Sequence, residues 1–103
     1  MTTNTKSNGK AKAPAATPWG PATMIEQVSI PQRAGEKRFA SLIELLETRS
    51  GERLVRFAYA TDGIGRRGPV TLRARDFERV VKELARRPEL RALFTTLAQG
   101  EVA

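Results

Sequence analysis

The chain has 103 residues and a mass of 11.4 kDa, which allows one domain with a modest core. It contains neither cysteine nor histidine, which excludes disulfides, thiolate or imidazole metal sites, and Ser-His-Asp or Cys-His catalysis. The 18 basic and 11 acidic residues give a formal net charge of +7, a balance that favours polyanionic partners.

Other classes of protein are disfavoured by what the chain lacks. No apolar run approaches the roughly 20 residues of a membrane span, and the polar N-terminus lacks the apolar core of a secretion signal. Composition alone permits a carboxylate site for Mg²⁺, but the acidic residues form no recognisable ligand or acid/base constellation. We therefore expect a non-enzymatic intracellular protein without cofactor, metal or membrane, cytoplasmic and nucleoid-associated if bacterial.

The first 23 residues differ in composition from the rest. They hold Lys6, Lys10 and Lys12, no acidic residue, and no apolar periodicity. Such a segment cannot bury enough surface to offset its chain entropy. The sequence predicts a disordered basic arm over residues 1–23, with Trp19 docked on a single domain that covers residues 24–100.

Strands are predicted in the first half of that domain. Residues 24–30 fit a strand that ends at Pro31, and residues 32–37 a loop. Residues 38–48 are ambiguous, because their apolar residues fit a helical period and, less cleanly, strand alternation. Residues 53–61 alternate clearly, and Ser50-Gly51 before them favours a hairpin turn.

The second half changes period. Residues 62–68 form a glycine-rich loop, and residues 70–73 a short strand that starts after Pro69. Apolar residues then recur at helical spacing from Asp76 to Leu84 and again over residues 90–97. Pro88 separates the two predicted helices, and Gly100 ends the second.

Seven arginines are the candidate nucleic-acid contacts. Arg66 and Arg67 lie among three glycines, which free the backbone, and guanidinium groups suit phosphate. Arg56 alternates with the Val55, Phe57 and Tyr59 face, so it lies on the open face of the sheet if that apolar face packs on a helix. The opposite arrangement, with exposed aromatic rings flanked by arginines, stays open. The full candidate set is Arg38, Arg49, Arg53, Arg56, Arg66, Arg67 and Arg73.

From Arg38 to Leu84 the chain resembles the positive cofactor four family of transcriptional coactivators. The resemblance rests on a strand ending in a charged glycine turn (residues 47–52), a second strand (54–59), the loop ending at Gly68, a short strand (70–72) and a helix with Phe77 near its start. It implies four strands, one helix, a homodimer through the helices, and single-stranded nucleic acid on the sheets. Thr48 and Ala60 stand where the family tends to place stacking aromatics, which shifts the expected binding to the arginines.

We accordingly expect an α+β fold, with an antiparallel four-stranded sheet followed by C-terminal helices, assembled as a homodimer. The expected function is non-catalytic binding of single-stranded DNA or RNA in transcription or genome maintenance, with the transcription machinery as a further candidate partner. One alternative is a protein-interaction adaptor that uses the apolar helix 90–97. Another is a small-ligand or RNA-binding domain in which residues 38–48 are helical.

Overall fold

A computed structural model describes residues 14–66 and 68–100. The fold is α+β, with five antiparallel strands in a curled half-barrel sheet and two C-terminal helices. The strands pair in chain order, so each connection is a hairpin. The elements are β1 Pro14–Thr17, β2 Gly20–Ala34, β3 Lys37–Thr48, β4 Arg53–Thr61, β5 Ile64–Arg66, a 3₁₀ turn Ala74–Asp76, α1 Phe77–Leu84 and α2 Pro88–Gln99. None of the described helices is long and apolar enough to cross a membrane.

The sheet has five strands rather than the four expected, because part of the predicted arm is ordered. Residues 14–17 pair with residues 20–23 through a tight turn, in which the Thr17 hydroxyl donates to the Gly20 carbonyl at 2.6 Å. Small residues and prolines leave this hairpin without the apolar alternation that predicts a strand, although Ala15 packs on the cluster of Ala22, Met24 and Leu46. The expected docking of Trp19 is wrong, since 65% of its surface is exposed at this turn. Residues 1–13 of the predicted arm lie outside the described residues.

β3 is the central strand, which excludes the helical interpretation of residues 38–48. It pairs with β2 along one edge and with β4 along the other. Ile43 and Leu45 are buried on one face of the sheet and Leu46 on the other. A strand buried on both faces reads as a continuous apolar run rather than as an alternation, which explains why its sequence also fitted a helix.

The two faces of the sheet carry separate apolar clusters. The helix face holds the larger core, formed by Val28, Ile30, Ile43, Leu45, Val80, Leu84 and Leu90. The open face holds a smaller one, formed by Ala22, Met24 and Leu46. The sheet curls toward the open face, because Arg56 of β4 reaches the Ala16 carbonyl of β1 at 3.1 Å although β2 and β3 lie between them.

The predicted helices are confirmed and their ends have physical causes. The Asp76 carboxylate accepts the Arg73 backbone N–H at 3.3 Å ahead of α1. Pro88 occupies the first turn of α2 and Gly100 ends it with φ of 69°. The Glu26 carboxylate from β2 accepts the Leu90 N–H at 2.9 Å, so a strand side chain caps the start of α2.

The strand predicted over residues 70–73 is absent from the structure. The outer position beside β4 is taken instead by β5, Ile64–Arg66, which the sequence had placed within a loop. A two-residue turn, Asp62-Gly63, makes this short hairpin, and both residues have positive φ as such turns require. Residues 69–73 cross the helix face, where Leu72 packs on the core and Ser41 donates to the Thr71 carbonyl at 3.3 Å.

Candidate nucleic-acid interface

One end of the sheet carries a cleft of about 710 Å³ that combines basic and aromatic side chains. In an antiparallel meander alternate turns lie at the same end, so the turn after β2 and the turn after β4 are brought together here. The start of β3 supplies Lys37, Arg38 and Phe39, the end of β4 supplies Tyr59, and β5 supplies Arg66. We call this group the terminal cleft.

Two aromatic rings form the apolar wall of the terminal cleft. The Phe39 and Tyr59 ring centroids are 6.4 Å apart, and the ring planes meet at 84°, an edge-to-face arrangement that aromatic pairs favour. Both residues are half-buried, so part of each ring remains accessible. Gly68 approaches the Tyr59 ring closely, since a Cβ placed on Gly68 would lie 3.6 Å from the phenol oxygen.

Three cations line the same cleft as these rings. Arg66 is held by a bond from its Nε to the Thr61 hydroxyl at 2.5 Å. Lys37 and Arg38 are exposed, and neither forms a salt bridge with any residue of 14–66 or 68–100. Glu36 and Asp62 also line the cleft, so three positive and two negative groups leave it with an excess of one positive charge.

A second groove of about 650 Å³ continues from the terminal cleft onto the open face. The two share Arg38, Phe39 and Asp62 in their linings, so they meet at the start of β3. Small residues line much of this groove, including Ser29, Ala40, Ala60 and Gly65. The terminal cleft and this groove therefore adjoin at Arg38.

Arg56 lies on the open face, one of the two arrangements that the alternation left open, but it is bound to other groups. Its Nε donates to Glu44 at 2.8 Å, and its Nη1 to the Ala16 carbonyl at 3.1 Å. The opposite face of β4 packs on the helices, since the Phe57 and Phe94 ring centroids are 6.4 Å apart. The Glu44 carboxylate, 7% exposed, also accepts a bond from Gln27 at 2.9 Å. Arg56 thus compensates a buried carboxylate and joins β4 to β1.

Arg53 lies on the helix face, because it pairs with Glu47 in the same register that places Val55 and Phe57 there. It donates to Glu89 at 2.6 Å and to Glu47 at 3.2 Å. The hydrogen bond to Glu89, and to a smaller extent the one to Glu47, raises the pKa of the Arg53 guanidinium. This contact ties the start of α2 to the sheet.

The other predicted arginines are spread over the molecule. Arg49 lies in the turn after β3, eleven residues from Arg38, a separation of roughly 35 Å along an extended strand. Arg73 precedes the 3₁₀ turn before α1. Arg67 lies outside the described residues. Of the seven candidates, the structure therefore brings only Arg38 and Arg66 together among those that it describes.

Sequence reasoning missed Lys37, Phe39 and Tyr59 as site residues. Phe39 and Tyr59 are twenty positions apart, and no local motif links them. The hairpin turn at Ser50-Gly51 could have predicted that the two rings are neighbours. A turn centred there sets Ser41 opposite Tyr59, which places Phe39 diagonally beside Tyr59. That register applies only if residues 38–48 form a strand, and their pattern also fits a helix.

Comparison with known proteins gives no relative. The chain matches no family model, no curated protein and no solved structure. Within residues 14–66 and 68–100, no group of three or more acidic side chains is placed to hold a metal ion.

Proposed function

We propose that the protein binds single-stranded nucleic acid without catalysis, in transcription or genome maintenance, and that the terminal cleft is its binding site. The observation that carries the proposal is the pairing of accessible rings, Phe39 and Tyr59, with three cations, Lys37, Arg38 and Arg66, in one concave site. Single-strand binding uses this combination, since bases stack on aromatic rings while a basic groove follows the backbone.

Each group has a distinct role in this proposal. The guanidinium groups of Arg38 and Arg66 and the Lys37 ammonium bind phosphates, and a base stacks against the exposed part of the aromatic pair. The strand then passes Arg38 toward the groove on the open face. Duplex DNA binds less well, because its bases are already stacked and cannot reach the rings.

The decisive experiment compares two double variants that remove equal charge. Arg38→Ala with Arg66→Ala removes the two guanidinium groups that are proposed to bind phosphate in the terminal cleft. Lys82→Ala with Arg91→Ala removes two exposed cations from α1 and α2, neither of which forms a salt bridge within the described residues. Each variant is titrated with one labelled single-stranded oligonucleotide by fluorescence anisotropy, after its melting curve has been shown to match that of the parent.

The cleft variant is expected to bind more weakly, and the slope of log affinity against log salt is expected to fall by about 1.4, or about 0.7 for each lost phosphate contact. The helix variant is expected to keep the slope of the parent. Equal losses would mean that a diffuse positive field binds the strand without a site. A duplex that binds more tightly than the single strand would overturn the proposal.

Stacking is tested separately by Phe39→Leu, which keeps an apolar side chain but removes the ring. We expect affinity for a single strand to fall about tenfold, in line with the contribution of a stacked base, while the salt slope stays that of the parent. Phe77→Leu is the matched control, because Phe77 is 56% exposed at the start of α1 and lines none of the described clefts. Equal behaviour of the two variants would remove stacking from the proposal.

A second candidate function, a protein-interaction adaptor, is favoured by one specific observation. α2 leaves Leu97 70% exposed and Leu93 41% exposed, and apolar surface of this kind marks association sites. The same anisotropy experiment separates the two candidates, because an adaptor would bind no oligonucleotide at low salt. Homodimerisation, which the sequence also predicted, would use this type of surface without excluding nucleic-acid binding.

A further inference from the structure

The outer edge of β4 is unpaired over most of its length. β5 pairs only with Tyr59, Ala60 and Thr61, and no described strand lies beside residues 53–58 on that side. An open edge of this kind presents a row of backbone donors and acceptors and is a template for a further strand. Nothing in the described chain replaces that strand.

The backbone groups that point outward can be assigned from the register. The two-residue turn Asp62-Gly63 makes Thr61 and Ile64 a hydrogen-bonded pair. Alternate residues of a strand bond to opposite neighbours, so Arg53, Val55 and Phe57 direct their N–H and C=O groups away from β3. The same three residues carry their side chains on the helix face.

An exposed apolar stripe runs along this edge. Phe57 is 54% exposed and Val55 is 40% exposed. The stripe continues onto α2, because Phe57 lies against Phe94 and the neighbouring Leu93 and Leu97 are exposed. Backbone bonding groups and apolar side chains thus lie together on one surface.

The charges at this edge are already compensated. Arg53 is bound by Glu47 and Glu89, and Arg56 by Glu44. Two chains that each carry a net charge of +7 would repel one another through most surfaces, but here the cations have partners within their own chain. The edge therefore presents no unpaired cation between Arg53 and Phe57 to a second copy.

We propose that the protein forms a two-fold dimer in which β4 pairs antiparallel with β4 of a second copy, with Val55 opposite Val55 of the partner subunit. Centring the axis on Val55 uses every outward backbone group from Arg53 to Phe57. It also sets Arg53 opposite Phe57 of the partner subunit and Leu54 opposite Arg56 of the partner subunit. Shifting the axis to Arg56 sets two guanidinium groups directly opposite each other and leaves Arg53 unpaired, so the Val55 register is preferred. The dimer is a proposal beyond nucleic-acid binding and does not depend on it.

The test measures the mass of the full chain by sedimentation equilibrium without nucleic acid. We expect the parent to sediment at twice 11.4 kDa at micromolar concentrations. Val55→Lys and Val55→Glu, each alone, are expected to weaken the dimer by about 100-fold, because two like charges would face each other across the axis. An equimolar mixture of the two variants is expected to restore the dimer, since opposite charges then meet.

Val81→Lys is the matched control, because Val81 is 65% exposed on α1, the helix that packs on β2. We expect it to leave the dimer intact. A monomeric parent, dimeric Val55→Lys, or dissociation by Val81→Lys would each overturn the proposed interface. Failure of the mixture to reassociate would exclude the Val55 register.

A second measurement covers the case in which a charge at position 55 prevents folding. Since the sequence contains no cysteine, Val55→Cys introduces a single thiol with little change in volume. Mild oxidation is expected to give a covalent dimer, whereas Val81→Cys is expected to remain uncrosslinked. A reversed result would place the contact on α1 and overturn the proposal. The sedimentation and crosslinking experiments contain no oligonucleotide. Their failure would therefore overturn the dimer without bearing on the proposed nucleic-acid binding.

Discussion

The candidate arginines, which sequence alone does not distinguish, differ in the side chains that surround them in the structure. Arg38 is exposed and lacks a salt-bridge partner among the described residues, so it can bind an external phosphate. Arg56, on the same face of the sheet, is engaged by Glu44 and the Ala16 carbonyl. A guanidinium that is already bonded within the chain would have to exchange those bonds for a phosphate, which reduces the net gain.

Replacing Arg56 should therefore lower stability rather than only affinity. Arg56→Ala leaves the buried Glu44 carboxylate with Gln27 as its remaining side-chain partner, and we expect a loss of about 1–3 kcal/mol in the free energy of unfolding. Urea denaturation measures it. Adding Glu44→Gln should recover part of the loss, and Arg49→Ala in the exposed turn should change stability by less than about 0.5 kcal/mol. Equal effects of Arg56→Ala and Arg49→Ala would contradict this role.

Asp76 should make the stability depend on acid pH. Burial raises the pKa of its carboxyl, but hydrogen bonds from Arg79, the Arg73 backbone and Gln32 outweigh burial and lower the pKa below its ordinary value. The unfolded chain then binds the proton more readily. The contribution of Asp76 is complete above the unfolded pKa of about 4 and disappears as pH falls through the folded value.

The measurement compares the parent with Asp76→Asn in urea at several pH values. We expect the parent to be more stable at pH 7 and the difference between the two proteins to shrink as pH drops below about 4. A difference that stays constant down to pH 2 would show that the carboxylate charge contributes nothing.

At the scale of elements, the anchoring of α2 matters most. α2 begins with Pro88, is capped by Glu26 from β2, and places Leu90 in the larger core with none of its surface exposed. Its later residues are progressively less covered, with Leu97 70% exposed. The helix is thus fixed at its N-terminal end and leaves apolar side chains exposed toward its C-terminal end.

Two leucine substitutions in α2 test this division. Leu90→Ala should lower the free energy of unfolding by about 2–5 kcal/mol, because it removes a fully buried side chain and leaves a cavity. Leu97→Ala should change the stability of the monomer by less than about 0.5 kcal/mol. Thermal and urea denaturation of both variants provide the values. Similar, small effects would indicate that α2 is an appendage rather than part of the core.

At the scale of the whole molecule, the sheet includes residues near the N-terminus of the chain. The segment 1–13 contributes Lys6, Lys10 and Lys12, whereas β1 starts at Pro14 and covers the smaller apolar cluster through Ala15. Residues 14–17 and 20–23, which the sequence assigned to the arm, therefore belong to the sheet.

Two truncations distinguish these boundaries. Removal of residues 1–13 should leave the melting temperature unchanged and flatten the salt dependence of binding by at most about 0.7 per lost phosphate contact. Removal of residues 1–23 should also lower the melting temperature, because it deletes β1 and Ala22 and exposes Met24. Circular dichroism and anisotropy measure the two effects. Identical melting of both truncated chains would restore the boundary at residue 23.

Local pattern determined the elements whose sequence has one period. The strand over residues 53–61, the hairpin turn at Ser50-Gly51 and the two C-terminal helices were all predicted, because alternation, helical spacing and glycine at positive φ act within a few residues. Long-range pairing decided the rest. β3 is buried on both faces and so lacks alternation, and β1 and β5 are too short to show a period. The terminal cleft depends on the same pairing, since Phe39 and Tyr59 meet only when β3 and β4 are in register.

The sequence by itself determined a basic α+β protein with an excess of arginine. Only the tertiary structure decided which arginines are bonded within the chain and which face solvent, because Glu44, Glu47 and Glu89 reach their partners across strands and helices that are distant in sequence.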